Sequence, residues 1–433
     1  MKRITFTRKI MIEMTRKRRF THKSQGFGGG GSRGIRMKKR DFTLFLLASA
    51  LLGITQSIDT SFFNNFLNDS FRLTVSERTI LEIPREFPGF AVVFVSTLLL
   101  FLGDVRIAVV ANALAAFGMM GMGFLAADFN GMVLWLLIFS MGQHLYMPIS
   151  NSIAMNLSDQ ANMGKRLGQI NGANTFVFLL ANLTFALIFK NIKVNYQMIF
   201  LIGAITFLLA GCLLILMVPN KPKKAKGYKL ILKKEYTLFY VLNILYGARK
   251  QIFLTFAPWV LIKIFNQGVS TFATLGFIIA AASIFFKPFV GYLIDKLGER
   301  FVLAGEAIIL IFVCLGYAFS KEFFEGIGRG ELAIIFIFAC YIMDQMLMAS
   351  TMARATYLRR IAIAPEDVSP SLSMGTTLDH ALAMFIPWLG GLLWAAWGYE
   401  YVFIAGAFIA ALNLIAASRI KIPQSVTVIQ SDS

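Results

Sequence analysis

The sequence predicts an all-α integral membrane protein of twelve transmembrane helices, arranged as two pseudo-symmetric six-helix bundles. Three observations carry that prediction. Of 433 residues, 57% are hydrophobic and 15% charged, against about a quarter charged in soluble domains. At about 20 apolar residues per crossing, that apolar content supplies about a dozen spans. The apolar runs also fall into two sets of six on either side of a basic stretch, with matching residues at a near-constant offset.

The chain begins with a basic segment, in which residues 1–40 carry 14 Lys and Arg. It has a glycine run at 28–31 and no apolar stretch of the length a cleavable leader requires, so it reads as a disordered cytoplasmic tail. Met37 directly precedes Lys38, Lys39 and Arg40, so the sequence leaves open whether residues 1–36 belong to the native protein or touch anionic lipid. Six apolar helices follow near 42–62, 80–102, 106–126, 132–157, 168–189 and 197–218, forming a first bundle over 41–218. Residues 219–235 form a basic linker with Lys221, Lys223, Lys224, Lys226, Lys229, Lys233 and Lys234. Six more helices, near 236–262, 270–294, 301–319, 332–357, 371–395 and 399–418, form a second bundle over 236–420, and 421–433 is a short cytoplasmic tail. Even-numbered connections and the C-terminus hold about 16 Lys and Arg against about 7 in the odd-numbered ones, which places both termini in the cytoplasm of a cell membrane.

Internal repetition supports the two-bundle plan. Tyr196, Phe200, Gly203 and Ala204 have the spacing of Tyr399, Phe403, Gly406 and Ala407, each set opening the last helix of its half. Gly53, Phe62 and Leu67 precede Gly247, Phe256 and Leu261 by a constant interval, and Phe94, Val95 and Gly103 stand likewise to Phe289, Val290 and Gly298.

The formal net charge is +19, but removing the tail leaves about +9, spread over loops where a cytoplasmic bias is expected, so nucleic acid is excluded as a partner. Cys212, Cys314 and Cys340 lie in apolar runs without paired spacing, which supports neither disulfides nor a metal site. The chain lacks the phosphate-cradling loop of an ATP-driven pump and any HExxH-type cluster, and it has three His in all. No enzyme and no cofactor is indicated.

Ionisable residues at mid-span are costly and face a wet cavity or a partner. Helix one carries Gln56 and Asp59, helix four Gln143 and His144, helix seven Arg249, Lys250 and Gln251, and helix ten Asp344 and Gln345. Together they predict a polar site at the midplane between the halves. Neighbours on a helix diverge by about 100°, so Arg249 and Lys250 do not aim at one point; Arg249 reads as an anion ligand or as the ion-pair partner of Asp59 or Asp344. Asp59, Asp344 and His144 are the candidates for carrying a proton, with a satisfied polar role as the alternative for His144. Glu82, Arg85 and Glu86, interspersed with Pro84 and Pro88, form either solvated headgroup-level charges or an extracellular gate. Lys287, Arg354, Asp379 and His380 read as lying toward the cytoplasmic side, where Arg354 and Asp379 could latch helices ten and eleven. Trp259 and Trp388 read as packing or interface anchors.

The connection after helix eight reads Gly291, Tyr292, Leu293, Ile294, Asp295, Lys296, Leu297, Gly298, Glu299, Arg300. It resembles the signature loop of the major facilitator superfamily, except that Glu299 stands where a basic residue is usual and Arg300 follows it. The first-half copy is degenerate, with Ser96 and Leu100 in place of the Gly and Asp and only Gly103, Asp104 and Arg106 kept. The resemblance implies a cytoplasmic gate at Gly291, Asp295, Lys296, Gly298 and Arg300, and a central cavity lined by helices one, four, seven and ten. The Gly and Pro rich antiporter marker of drug exporters is missing from helix five, and Pro387, Trp388, Leu389, Gly390 and Gly391 in helix eleven echo it only in part. The expectation is a monomeric secondary transporter of a small anionic or zwitterionic organic solute, working by alternating access with protons as the candidate coupling ion. Drug or metabolite efflux is the alternative within the same superfamily, and a non-transporting membrane receptor or an integral-membrane enzyme ranks behind it.

Overall fold

The computed structural model describes residues 30–158, 163–219, 232–364 and 367–421. The expected tail up to residue 29, most of the linker and the last residues lie outside them. The first bundle consists of α1 (Gly30–Phe71), a short α2 (Val75–Ile80), α3 (Glu82–Leu99), α4 (Asp104–Phe124), α5 (Phe129–Asn156), α6 (Met163–Ile188) and α7 (Tyr196–Ile215). The second consists of α8 (Thr237–Lys263), α9 (Val269–Gly326), α10 (Glu331–Leu347), α11 (Thr351–Ile361), α12 (Val368–Trp397) and α13 (Tyr399–Ser418).

Among the described residues, nine helical segments are long and apolar enough to cross a bilayer, with α10 and α11 making one crossing. The 58 residues of α9 would extend about 87 Å if straight, roughly two bilayer thicknesses. The helix therefore bends, and it does so at Gly298, where φ is +83°. Counted as two crossings, α9 brings the total to ten, and α3 and α8 complete the twelve. Those two fall short on composition because α3 holds Glu82, Arg85 and Glu86 and α8 holds Arg249 and Lys250. The two helices least suited to lipid thus carry Glu82, Arg85, Glu86, Arg249 and Lys250, a large share of the central ionic groups.

Helix ends are set by local chemistry. Thr74 and Glu77 form a reciprocal capping box at α2, while Asp128 and Asn195 accept from the backbone N–H groups of Gly131 and Met198. Gly103, at φ +79°, turns the chain between α3 and α4 as Gly298 does in the second half. Three boundaries differ from the sequence reading. The first helix begins at Gly30 and runs to Phe71, so the last residues assigned to the tail are helical. The eighth and ninth crossings are one bent helix, and the tenth is interrupted by a 3-10 turn at Met348–Ser350.

The duplication is visible in the packing. α1 packs on α6 and α7, and α8 packs on α12 and α13; α4 packs on α5 and α7, and α9 on α10 and α13. The repeated glycines do equivalent work: a Cβ on Gly203 would strike Met119 Sδ at 2.1 Å, and one on Gly406 would meet Cys314 Sγ at 3.2 Å. The bundles meet along two related seams, α3 against α12 and α6 against α9. Close contacts on these seams lie toward the side away from the termini, where Ser270 Oγ donates to the Ala186 carbonyl at 2.9 Å and Gly391 has no room for a Cβ beside Thr79.

Candidate functional site

A cavity of about 450 Å³ occupies the middle of the first bundle's inner face. Helical periodicity builds its wall: Ser49, Gln56 and Asp59 project from one stripe of α1, and Gln143, Met147, Ser150, Asn151 and Ala154 from one stripe of α5. Arg85 and Glu86 enter from α3, and Asn171 and Asn174 from α6. Phe45, Tyr146 and Phe207 supply aromatic surface. The lining continues toward the terminal side through Phe45, Ser49, Asn151 and Leu167, while the other side is sealed at the level of the buried Arg78 and Glu82.

At mid-depth the ionic groups are arranged in pairs. Arg85 lies 3.4 Å from Asp59 and 3.6 Å from Glu82, and Arg78 holds Glu82 at 2.6 Å. Gln251 Nε2 on α8 donates to Glu82 Oε2 at 3.2 Å, tying the second bundle to the first. Lys250 of α8 pairs with Asp379 of α12 at 2.5 Å, and Glu86 contacts His380 of α12 at 2.8 Å. The His144 ring lies 5.0 Å from that of His380, edge to face.

Of the residues expected at the site, Gln56, Asp59, Gln143 and His144 line the cavity, and so do Arg85 and Glu86, which the sequence had assigned to a gate or a headgroup layer. Glu82 lies outside the lining, buried and held by Arg78 and Gln251. Arg249, Asp344 and Gln345 are not in the lining. Arg249 pairs with Asp344 and with Glu306 of α9, the latter at 3.0 Å, Arg354 pairs with the same Glu306 at 3.1 Å, and Gln345 donates to Asp344 at 3.1 Å. Arg249, Asp344, Glu306 and Arg354 are all almost fully buried, and the Arg354 guanidinium sits 3.7 Å over the Tyr246 ring. Two guanidinium and two carboxylate groups thus neutralise one another inside the second bundle. The expected Arg354 to Asp379 latch is absent because each residue has this other, nearer partner.

The expected gate loop is also redistributed. Asp295 is exposed, and among the described residues Lys296 bonds to Tyr292 of its own helix. The buried acids are Asp104 and Glu299, each directly after the positive-φ glycine of its half. Asp104 accepts from Ser152 at 2.7 Å and Asn156 at 3.1 Å, at the end of α5; Glu299 pairs with Arg360, at the end of α11, at 2.7 Å. Glu299 is therefore the counterpart of Asp104, a carboxylate fastening the third helix of a half to the end of the fourth.

Sequence reasoning missed Asn151, Asn171, Asn174 and Glu306. Asn171 and Asn174 are detectable as carboxamides three apart on one face of a membrane-length helix. Glu306 stands alone in an apolar run, and His380 was assigned a depth nearer the cytoplasm than the one it occupies. Trp259 is fully buried, as a packing anchor, whereas Trp388 is partly exposed.

The sequence profile of the Major Facilitator Superfamily matches residues 86–363. No curated protein sequence matches the chain. Among solved structures, the fold is similar to that of the nucleoside transporter NupG, with a TM-score of 0.66 and 13% identity over 89% of this chain and 100% of that one. A point mutant of NupG gives 0.70 and 12% over 88% and 98%. A bacterial homolog of the human lysosomal transporter Spinster, inward-facing and unoccupied, gives 0.65 and 15% over 88% and 97%. At these identities the likeness is one of fold.

Proposed function

We propose that this chain, which belongs to the Major Facilitator Superfamily, is a secondary active transporter of a small, hydrophilic, net-neutral organic solute. The solute is zwitterionic or uncharged, and the protein works by alternating access as a monomer in the cell membrane, with both termini in the cytoplasm. One observation carries the solute class: the cavity presents the Asp59 to Arg85 pair at 3.4 Å beside the amides of Gln56, Gln143, Asn151, Asn171 and Asn174. Paired charges and carboxamides offer donors and acceptors in balance and no surplus cation. The anionic expectation rested on Arg249 and Lys250 together, and both charges are paired, the first with Asp344 and Glu306 and the second with Asp379. A volume of about 450 Å³ falls in the range of small-molecule sites.

Alternation requires the sealed side to part, which breaks the Gln251 to Glu82 bond and the Glu86 to His380 contact. Asp59 is the proton site in this reading, since protonating it releases Arg85 and couples the charge state of the pair to the occupancy of the cavity. A thermal-shift screen of the purified protein against metabolites tests the solute class, because a ligand that binds only the folded state must stabilise it. Net-neutral hits lost in Asn171→Ala and Gln143→Ala are expected, and hits confined to anions overturn the reading. In proteoliposomes loaded with a hit, Asp59→Asn is expected to keep counterflow and to lose accumulation driven by a pH gradient. Equal accumulation by the variant rejects the coupling assignment.

A further inference from the structure

Glu86, His144 and His380 sit on three helices, α3 and α5 of the first bundle and α12 of the second. Each offers one ligand atom within 4.8 Å of the others. The solute reading leaves this cluster without a purpose beyond the Glu86 to His380 contact, which accounts for only two of its members. We infer that the three side chains form a binding site for a divalent transition metal of the zinc class, bridging the two bundles at mid-depth.

The ligand set is two imidazoles and one carboxylate, a combination suited to Zn²⁺, Co²⁺ or Ni²⁺ and poorly suited to Mg²⁺ or Ca²⁺, which take oxygen ligands. The orientation of His144 also fits. Its Nδ1 lies 2.9 Å from the Ser140 carbonyl, the bond by which a metal-binding imidazole is usually held from behind while its other nitrogen stays free for the ion. Ser140 is itself anchored, its hydroxyl donating to the Arg85 carbonyl of α3. Gly89 makes room for both rings, since a Cβ there would lie 2.8 Å from His144 Nε2 and 2.7 Å from His380 Nδ1. Removing that one carbon lets two imidazoles from different bundles converge on the α3 backbone one turn beyond Glu86. The nearest fixed cation, Arg85, is offset by Asp59 and Glu82, and Lys250 by Asp379.

Bonds of about 2.1 Å in a tetrahedral site put ligand atoms about 3.4 Å apart. An ion would therefore ease Glu86 and His380 apart from 2.8 Å and draw in the widest gap, shifts within the reach of side-chain rotation. Water or solute from the adjacent cavity would complete the shell. Because the ligands come from both bundles, the bound ion would hold α12 against α3 and α5 and slow the opening of that seam.

The test uses the untagged full-length protein, stripped with chelator, and ZnCl₂ or CoCl₂ alone, so it does not depend on knowing the solute. Zn²⁺ is expected to raise the unfolding temperature of the wild type by about 3 °C or more in a saturable manner, and Co²⁺ to give the visible bands of a tetrahedral complex. Both signals should vanish in His144→Ala and in His380→Ala and persist in His22→Ala, which removes the one other imidazole. Variants are scored only where gel filtration and the metal-free unfolding temperature match the wild type, and Glu86→Gln, with a weakened but measurable response, serves if either His variant fails this check. No saturable response in the wild type, or one that survives in both His variants, overturns the assignment.

Discussion

The four buried charges of the second bundle give a sharp test of the site's boundary. Arg249→Met keeps a side chain of similar length and removes the cation shared by Asp344 and Glu306. Two carboxylates then remain with Arg354 alone, which reaches only Glu306, leaving Asp344 buried and uncompensated apart from Gln345. Removing one member of a buried ion pair costs about 3–5 kcal/mol. At about 2–4 °C per kcal/mol for a unit of this size, the unfolding temperature should fall by roughly 6–20 °C. The double variant Arg249→Met with Asp344→Leu leaves the neutral Glu306 to Arg354 pair, so it should recover most of that loss, to within about 4 °C of the wild type. Trp fluorescence of the purified protein during heating reads both, and solute affinity measured below the transition should be unchanged in the double variant. The reasoning is refuted if Arg249→Met leaves the unfolding temperature within about 2 °C of the wild type while abolishing stabilisation by solute. That pair of results would put the guanidinium in the transport path.

Other positions give independent checks. Gly391→Leu should wedge the sealed side open, because its Cβ would come within 2.2 Å of Thr79 Oγ1; a cysteine at Asn171 should then react several-fold more slowly with an impermeant thiol reagent applied from the terminal side. Gly298→Ala should destabilise by about 1–3 kcal/mol through its φ of +83° alone, since nothing lies within 4 Å of the new Cβ. Gly291→Ala in the same connection should be neutral or slightly stabilising in a chemical denaturation series. Thr74→Ala should loosen α2 by about 1 kcal/mol, read as faster amide exchange over residues 75–80. The hydrogen bonds from the Thr74 backbone and side chain hold the Glu77 carboxyl below its ordinary range, so this contribution is present above the unfolded-state value and is lost as pH falls through the lowered one. The acid-induced rise in exchange should therefore be absent in Glu77→Gln.

What could be read from the sequence divides along a physical line. Twelve crossings and a duplicated plan follow from local composition and spacing, and the glycine pair at 203 and 406 could be matched because both serve the same close contact against the third helix of their half. Most of the costly mid-span residues were equally visible, since the penalty for each is a local property, and Glu306 is the exception. Their pairing was not, because it depends on which way each helix is rotated. Arg249 and Lys250 show this most directly: one position along α8 sends the first into the bundle toward Glu306 and the second to Asp379 at the seam. The gate loop shows it again. Motif letters favoured Asp295, whereas burial falls on Asp104 and Glu299, whose partners lie on the ends of α5 and α11, far away in the chain. A charge census of such a protein therefore becomes informative about its solute only after the pairs closed within a bundle are subtracted. Here the subtraction removes Arg249, Arg354, Glu306 and Asp344 together, and the groups left facing the cavity are Asp59, Arg85, Glu86 and His144. The first two neutralise each other, and the last two converge on His380 across the seam that must open. Solute recognition and control of that seam are accordingly assigned to different side chains of the same central layer.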